Sequence, residues 1–191
     1  GRKVLVAAGS VFGAGETNAL IQSEGCVISR YDANPASPNY GQEIGITVDP
    51  FTRALNGGWI TAAEQAQCFT IDLATPEGSA DSTRGIYFNN AAGTATCVLR
   101  GAIIKNATHA AARVGLGILR LEDCYILDCK RTPSAGNGYD GGCGLRADAA
   151  GTMRAVRCFF ERIGTDVAWL YNGGNHAITD SAIKHTCDRQ V

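Results

Sequence analysis

The 191-residue chain has one Met, two Trp, five Pro and no apolar run approaching 18 residues, so no membrane-spanning helix is encoded and no membrane insertion is expected. An excess of one charge is also missing. Seventeen Lys and Arg against 18 Asp and Glu leave a formal net charge of -1, which removes the electrostatic case for nucleic acid as a partner. Eight Cys contain no Cys-x-x-Cys, and three His are not spaced against them as zinc ligands, so neither a metal site nor a cofactor is expected. Phosphate-loop and nucleophile-elbow motifs are absent as well. Helix signals are scarce: only 61–67 and 107–113 have helix-forming composition, about two turns each, too short to build a helical domain. The chain opens Gly-Arg-Lys without Met, and the apolar stretch 4–8 is too short for a secretory signal, so it reads as a processed chain or a fragment.

What is present is small and apolar. Twenty-eight Ala and 24 Gly accompany a hydrophobic fraction of 45%, enough to exclude disorder, with only 18% charged and 7% aromatic residues. Most Cys read as buried thiols acting as small hydrophobes. The pair to test for a disulfide is Cys129 and Cys143, which bracket a Gly-rich loop; the alternative is two unrelated core thiols.

A repeat organises the second half. Four segments align, beginning at Val98, Leu121, Ala155 and Ile178, with offsets of 23, 34 and 23 residues. The 34 equals a 23-residue unit plus a loop insertion at 130–143. Val98, Leu121, Ala155 and Ile178 form an apolar column, Gly101, Cys124, Cys158 and Ser181 a small one, and Ile103, Ile126, Phe160 and Ile183 a large one, as one face of a strand requires. Arg100, Asp123, Arg157 and Asp180 sit where the phase shifts at a bend, and their alternating signs should pair neighbouring units as a register device. A 23-residue unit of short strands cannot bury its own apolar face, so it must stack on copies of itself.

The recurring apolar-x-Asp/Arg-Cys-x-Ile/Phe pattern resembles the right-handed parallel β-helix of pectate-lyase-like proteins, which include polysaccharide lyases, polygalacturonases and bacteriophage tailspikes. The resemblance covers about residues 84–187 and extends plausibly over 60–83. It implies an all-β solenoid of about 23 residues per coil over 59–191, with 1–58 as irregular N-terminal coils or a cap. The family's Arg-x-Pro-x-x-Arg, Asn-Thr-Asp and Gly-His-Gly motifs are absent, so lyase and polygalacturonase activities are not carried over and no catalytic residue is assigned.

Two regions are ligand candidates. The loop supplies Asn137, Tyr139 and Asp140, a stacking ring among hydrogen-bonding groups of the kind sugars need. At the 23-residue offset, Arg146 and Asp148 should face outward beside Trp169 and Tyr171, with Leu145, Ala147, Ala168 and Leu170 inside. A glycosidase would need two carboxyls about 5 to 9.5 Å apart. Asp148 with Asp140 or Asp166 is the candidate pair.

Tyr125, Phe159, Ile104 and Leu127 form an outer stripe too apolar for free solvent, which points to a partner surface or to cover by residues 1–58. The tailspike resemblance makes that partner a homotrimer mate or a neighbouring virion subunit. The functional expectation is a structural or receptor- and glycan-recognition rod of a phage tail or other virion surface protein, virion-borne or extracellular, with a cell-surface polysaccharide as ligand. The competing expectations are a polysaccharide-degrading enzyme of the tailspike depolymerase type, hydrolase or lyase, and a bacterial surface adhesin.

Overall fold

A computed structural model describes residues 2–12, 18–21, 25–45, 60–73, 84–130, 142–171 and 174–186. The chain is nearly all β. Its strands are β1 (Arg2–Ala7), β2 (Val11–Phe12), β3 (Asn18–Ile21), β4 (Cys26–Tyr31), β5 (Phe69–Asp72), β6 (Arg84–Asn89), β7 (Thr96–Arg100) and β8 (Ala102–Lys105). They continue with β9 (Ala110–Glu122), β10 (Tyr125–Cys129), β11 (Cys143–Val156), β12 (Phe159–Ile163), β13 (Ala168–Leu170), β14 (Ala177–Thr179) and β15 (Ala182–Thr186). Among the described residues one short helix, α1 (Ala62–Ala66), is set by a capping box in which Glu64 N–H donates to Thr61 Oγ1 and Thr61 N–H donates to the Glu64 carboxylate.

The strands form one nine-stranded and one six-stranded sheet, and every described ladder is parallel. The chain passes from one sheet to the other and back, so a single apolar core collects inward residues of both.

Two columns traverse the whole stack. In the larger sheet Val4, Ile28, Leu99, Leu121, Ala155 and Ile178 are successive register partners. In the smaller sheet the series is Phe12, Ile71, Ile104, Ile126, Phe160 and Ile183. The expected columns are thus present from Leu121 and Ile126 onward and shifted by one residue before them. Leu99, not Val98, pairs with Leu121, while Val98 is half-buried opposite Arg120. Likewise Ile104, not Ile103, pairs with Ile126.

The backbone explains the shift. Gly101, Asp123, Arg157 and Asp180 all have φ between 50 and 63°, and Asn106, Asp128 and Arg162 repeat this at a second bend with φ between 53 and 62°. Each bend needs one left-handed residue, at a cost of about 1 kcal/mol where a Cβ is present. Gly101 therefore occupies the bend position assigned to Arg100. Its missing side chain has a second use, since a Cβ there would meet the buried Arg30 side chain at 2.5 Å.

The bends carry the expected charge ladder in part. Arg157 clasps buried Asp123 through Nε and Nη2 at 2.9 and 3.0 Å, and Arg162 forks onto Asp128. Arg100 pairs with Glu122 at 2.6 Å instead of Asp123, as its one-residue displacement requires. Asn106 is half-buried at the second bend and donates to Asp72 at 2.7 Å.

Other expectations shift. The run at 107–113 is not helical: Ala110–Glu122 is a strand because Ala112 is fixed between Ile86 and Leu145, and pairing overrides a weak propensity. Within 1–58, β1 and β4 join the nine-stranded sheet in register, Arg2 with Cys26 through Ala7 with Tyr31. The outer stripe is buried inside this chain, with Ile103 in place of Ile104, which lies in the core. Tyr125 and Phe159 stack at 5.3 Å within a cluster that also holds Ile60, Cys68, Leu127 and Ala182. The surface expected to meet a trimer mate is therefore already covered.

The seven described Cys are free and buried. Cys129 and Cys143 form no bridge; their thiols donate instead to the carbonyls of Leu127 and His109. Burial pushes the Cys143 thiol up to about 11 and Cys68 up to about 12, so neither is a nucleophile at neutral pH. Cys124 and Cys158 donate to Leu99 and Leu121 carbonyls of the preceding strand, which explains a small polarisable residue at that step.

Candidate functional site

Strands β6, β9, β11 and β13 run side by side, so one outward position on each falls in a single row. Tyr87 is opposite Arg113, Arg113 opposite Arg146, and Arg146 opposite Trp169. Inward neighbours Ile86, Ala112, Leu145 and Ala168 pin that row to the core. The expected facing of Arg146 and Trp169 outward, with Leu145, Ala147, Ala168 and Leu170 at core positions, is what the pairing shows.

Planar groups fill the row. The Arg113 guanidinium lies 4.8 Å from the Tyr87 ring centroid, and Arg146 lies 5.5 Å from that of Trp169. Trp169 stacks on Tyr171 at 5.9 Å and 13°. Gly115 makes room at one end, because a Cβ there would meet the Tyr87 hydroxyl at 2.7 Å. At the other end His176 fixes the chain around Tyr171. Its Nδ1 accepts from Met153 N–H at 3.1 Å, which leaves Nε2–H to donate to the Tyr171 carbonyl at 3.0 Å.

Two guanidiniums in register on adjacent strands repel each other. Asp148 offsets that repulsion: one oxygen accepts from Arg113 Nε and Nη2 at 2.9 and 2.7 Å, the other from Arg146 Nε at 3.2 Å. Arg146 Nη1 also donates to His109 Nε2 at 3.3 Å. The two Arg and one Asp leave one net positive charge on a partly exposed face.

Of the expected ligand residues, the structure brings together Arg146, Asp148, Trp169 and Tyr171. Asn137, Tyr139 and Asp140 lie outside the described residues, so the loop cannot be placed against the row. Asp148 is committed to two guanidiniums, while Asp166 is exposed and contributes its backbone carbonyl to Gly144 N–H. The sequence reading missed Tyr87, His109 and Arg113. Their spacings, 26 residues from Tyr87 to Arg113 and 33 from Arg113 to Arg146, differ from the 23 that links Arg146 to Trp169, so a fixed 23-residue step does not reach them.

Among the described residues no group of three or more His, Cys, Asp or Glu could hold a metal ion, and no helix is long and apolar enough to cross a membrane. No family model, curated protein or solved structure matches the chain.

Proposed function

We propose that the chain is a right-handed parallel β-helix of about 23 residues per coil, serving as a recognition rod on a virion or other extracellular surface. Its ligand is a cell-surface polysaccharide held along Tyr87, Arg113, Arg146, Trp169 and Tyr171. The observation that carries this reading is the row itself: two aromatic groups and two guanidiniums on four neighbouring strands, with Tyr171 beside them. A row of this geometry suits a sugar chain, whose rings offer apolar faces for the aromatics and hydroxyls for the guanidinium donors. The binding role is favoured over cleavage because the Asp148 carboxylate accepts from both guanidiniums, an arrangement that positions the row rather than a proton.

Incubation with a panel of bacterial surface polysaccharides, scored for retention and for chain cleavage, tests it. Retention by the parent and at least a tenfold loss for Trp169→Ala, with an unchanged melting temperature, is the expected result. Cleavage of any retained chain would replace the recognition role by a depolymerase, and retention of none would overturn the site.

A further inference from the structure

Strands β9 and β11 carry two pairs of guanidiniums in register. Arg113 faces Arg146, and Asp148 spans that pair; further along the same strands Arg120 faces Arg154. The flanking residues Leu119, Leu121, Met153 and Ala155 are buried, so Arg120 and Arg154 project from the outer face of the larger sheet, in the middle of the stack. Their column neighbours, Val98 and Ala177, carry no charge. Glu122 ion-pairs with Arg120 and Arg100, and Glu43 with Arg100 and Lys3. At the adjoining bend Arg157 is matched by Asp123, while Asp180 is exposed beyond Thr179 and outside the column. Among the described residues Arg154 has no carboxylate partner, and its Nε donor is buried without an acceptor. The Nε donor of Arg120 is in the same state, because its contact with Glu122 balances charge without meeting hydrogen-bond geometry.

We propose that a phosphate group from solution seats between Arg120 and Arg154, in the place that Asp148 holds between Arg113 and Arg146. The chain itself supplies the precedent. Like charges directly opposite on adjacent strands destabilise the pairing, and at the first pair an internal carboxylate offsets this with one oxygen for each guanidinium. At the second pair Glu122 is shared between Arg100 and Arg120 and does not serve Arg154, so the offset must come from outside. Two planar forks one strand spacing apart, about 4.8 Å, present more donors than a carboxylate has oxygens, whereas a phosphate brings three or more acceptors and up to two negative charges. The Arg120 side chain is 42% exposed and Arg154 is half-buried, so a ligand meets the pair from solvent. The site is separate from the aromatic row and holds whether or not that row binds sugar.

Nuclear magnetic resonance of the arginine Nε–H groups reads this directly. Inorganic phosphate and glucose 6-phosphate are titrated into the full chain, with chloride at equal ionic strength and glucose as controls. The Arg120 and Arg154 signals should shift and saturate below about 20 mM phosphate, while those of Arg113 and Arg146, already held by Asp148, stay in place. Saturation by both ligands, by the free ion alone or by the ester alone supports the site and identifies the source of the phosphate. Arg154→Gln, which relieves the repulsion and should keep the parent's melting temperature, should weaken the response of Arg120 at least about tenfold. Arg154→Lys, which keeps the charge and loses the fork, replaces it if the Gln variant does not fold. No saturation with either phosphate, an equal shift in chloride, an equal shift of Arg113 and Arg146, or an unweakened response in the variant would each overturn the proposal.

Discussion

Ile126 and Ile183 occupy the same column, two strands apart, and have opposite surroundings: one is wholly enclosed and the other is half open. The difference is not composition. Residue type alone does not create a core in this protein, because each strand is half of an interface that only the next strand completes. Stability should accordingly be concentrated in β7 to β12, whose inward residues have neighbours on both sides, and the outer strands should behave as edges.

The same substitution at both positions gives the sharpest contrast. Ile126→Asp places a charge in a closed apolar column and should lower stability by more than about 4 kcal/mol, enough to abolish folding. Ile183→Asp, at an open end, should cost under about 1 kcal/mol in the dilute monomer. Thermal denaturation of the two variants checks this, and equal losses would erase the distinction between middle and end.

A smaller effect separates the buried bend from the exposed one. Arg157→Ala leaves Asp123 buried without its guanidinium and should cost about 2 kcal/mol, whereas Arg162→Ala, whose partner Asp128 is more open, should cost under about 1 kcal/mol. Burial already raises the Asp123 carboxyl above its ordinary value, against the opposing pull of Arg157. A raised value means that the folded state holds the proton more tightly than the unfolded one. The stability linked to it is fully present in acid and declines as pH rises through the folded value. Arg157→Ala removes the opposing pull, so its deficit relative to the parent should be smallest in acid and grow toward neutrality, as urea denaturation at several pH values would show.

The smallest effect lies near β1. Lys3, by its hydrogen bond, chiefly lowers the Glu43 carboxyl, with Ser29 adding to it. Here the sign reverses: the stabilisation is present above the ordinary glutamate value of about 4.3 and is lost as pH falls through the lowered one. Amide exchange in β1 should therefore speed up in strong acid relative to β9 after correction for intrinsic rates, and Glu43→Gln should remove that difference.

Much of this arrangement was legible in the sequence where side-chain size and register agree. Ile126, Phe160 and Ile183 form a column of like residues, and Arg146 over Trp169 follows from a clean 23-residue step. Legibility failed where the backbone rather than the side chain sets the register. Matching Gly101 to Cys124 by size looks natural, but Gly101 is equivalent to Asp123 because both are left-handed, and the error displaced Val98, Arg100 and Ile103 together. Arg113 and Tyr87 were lost for a related reason, since irregularities after Ala147 and Phe88 break the count along β11 and β6. The Ala-rich opening of β9 carried a helical signal that only its neighbours overrule.

All of this depends on residues far apart in sequence lying one above another. Lys3, Val27, Val98, Arg120, Arg154 and Ala177 are successive partners on the outer side of the larger sheet, so five strand spacings separate the first from the last. Nitroxide labels on Lys3→Cys and Ala177→Cys, introduced in a Cys187→Ser background while the seven described thiols stay buried, report that span by electron double resonance. In dilute, monomeric protein the account predicts a single narrow distance near 24 Å, about five times 4.8 Å. A main distance beyond about 35 Å, or a distribution as broad as that in urea, would contradict the stacked register.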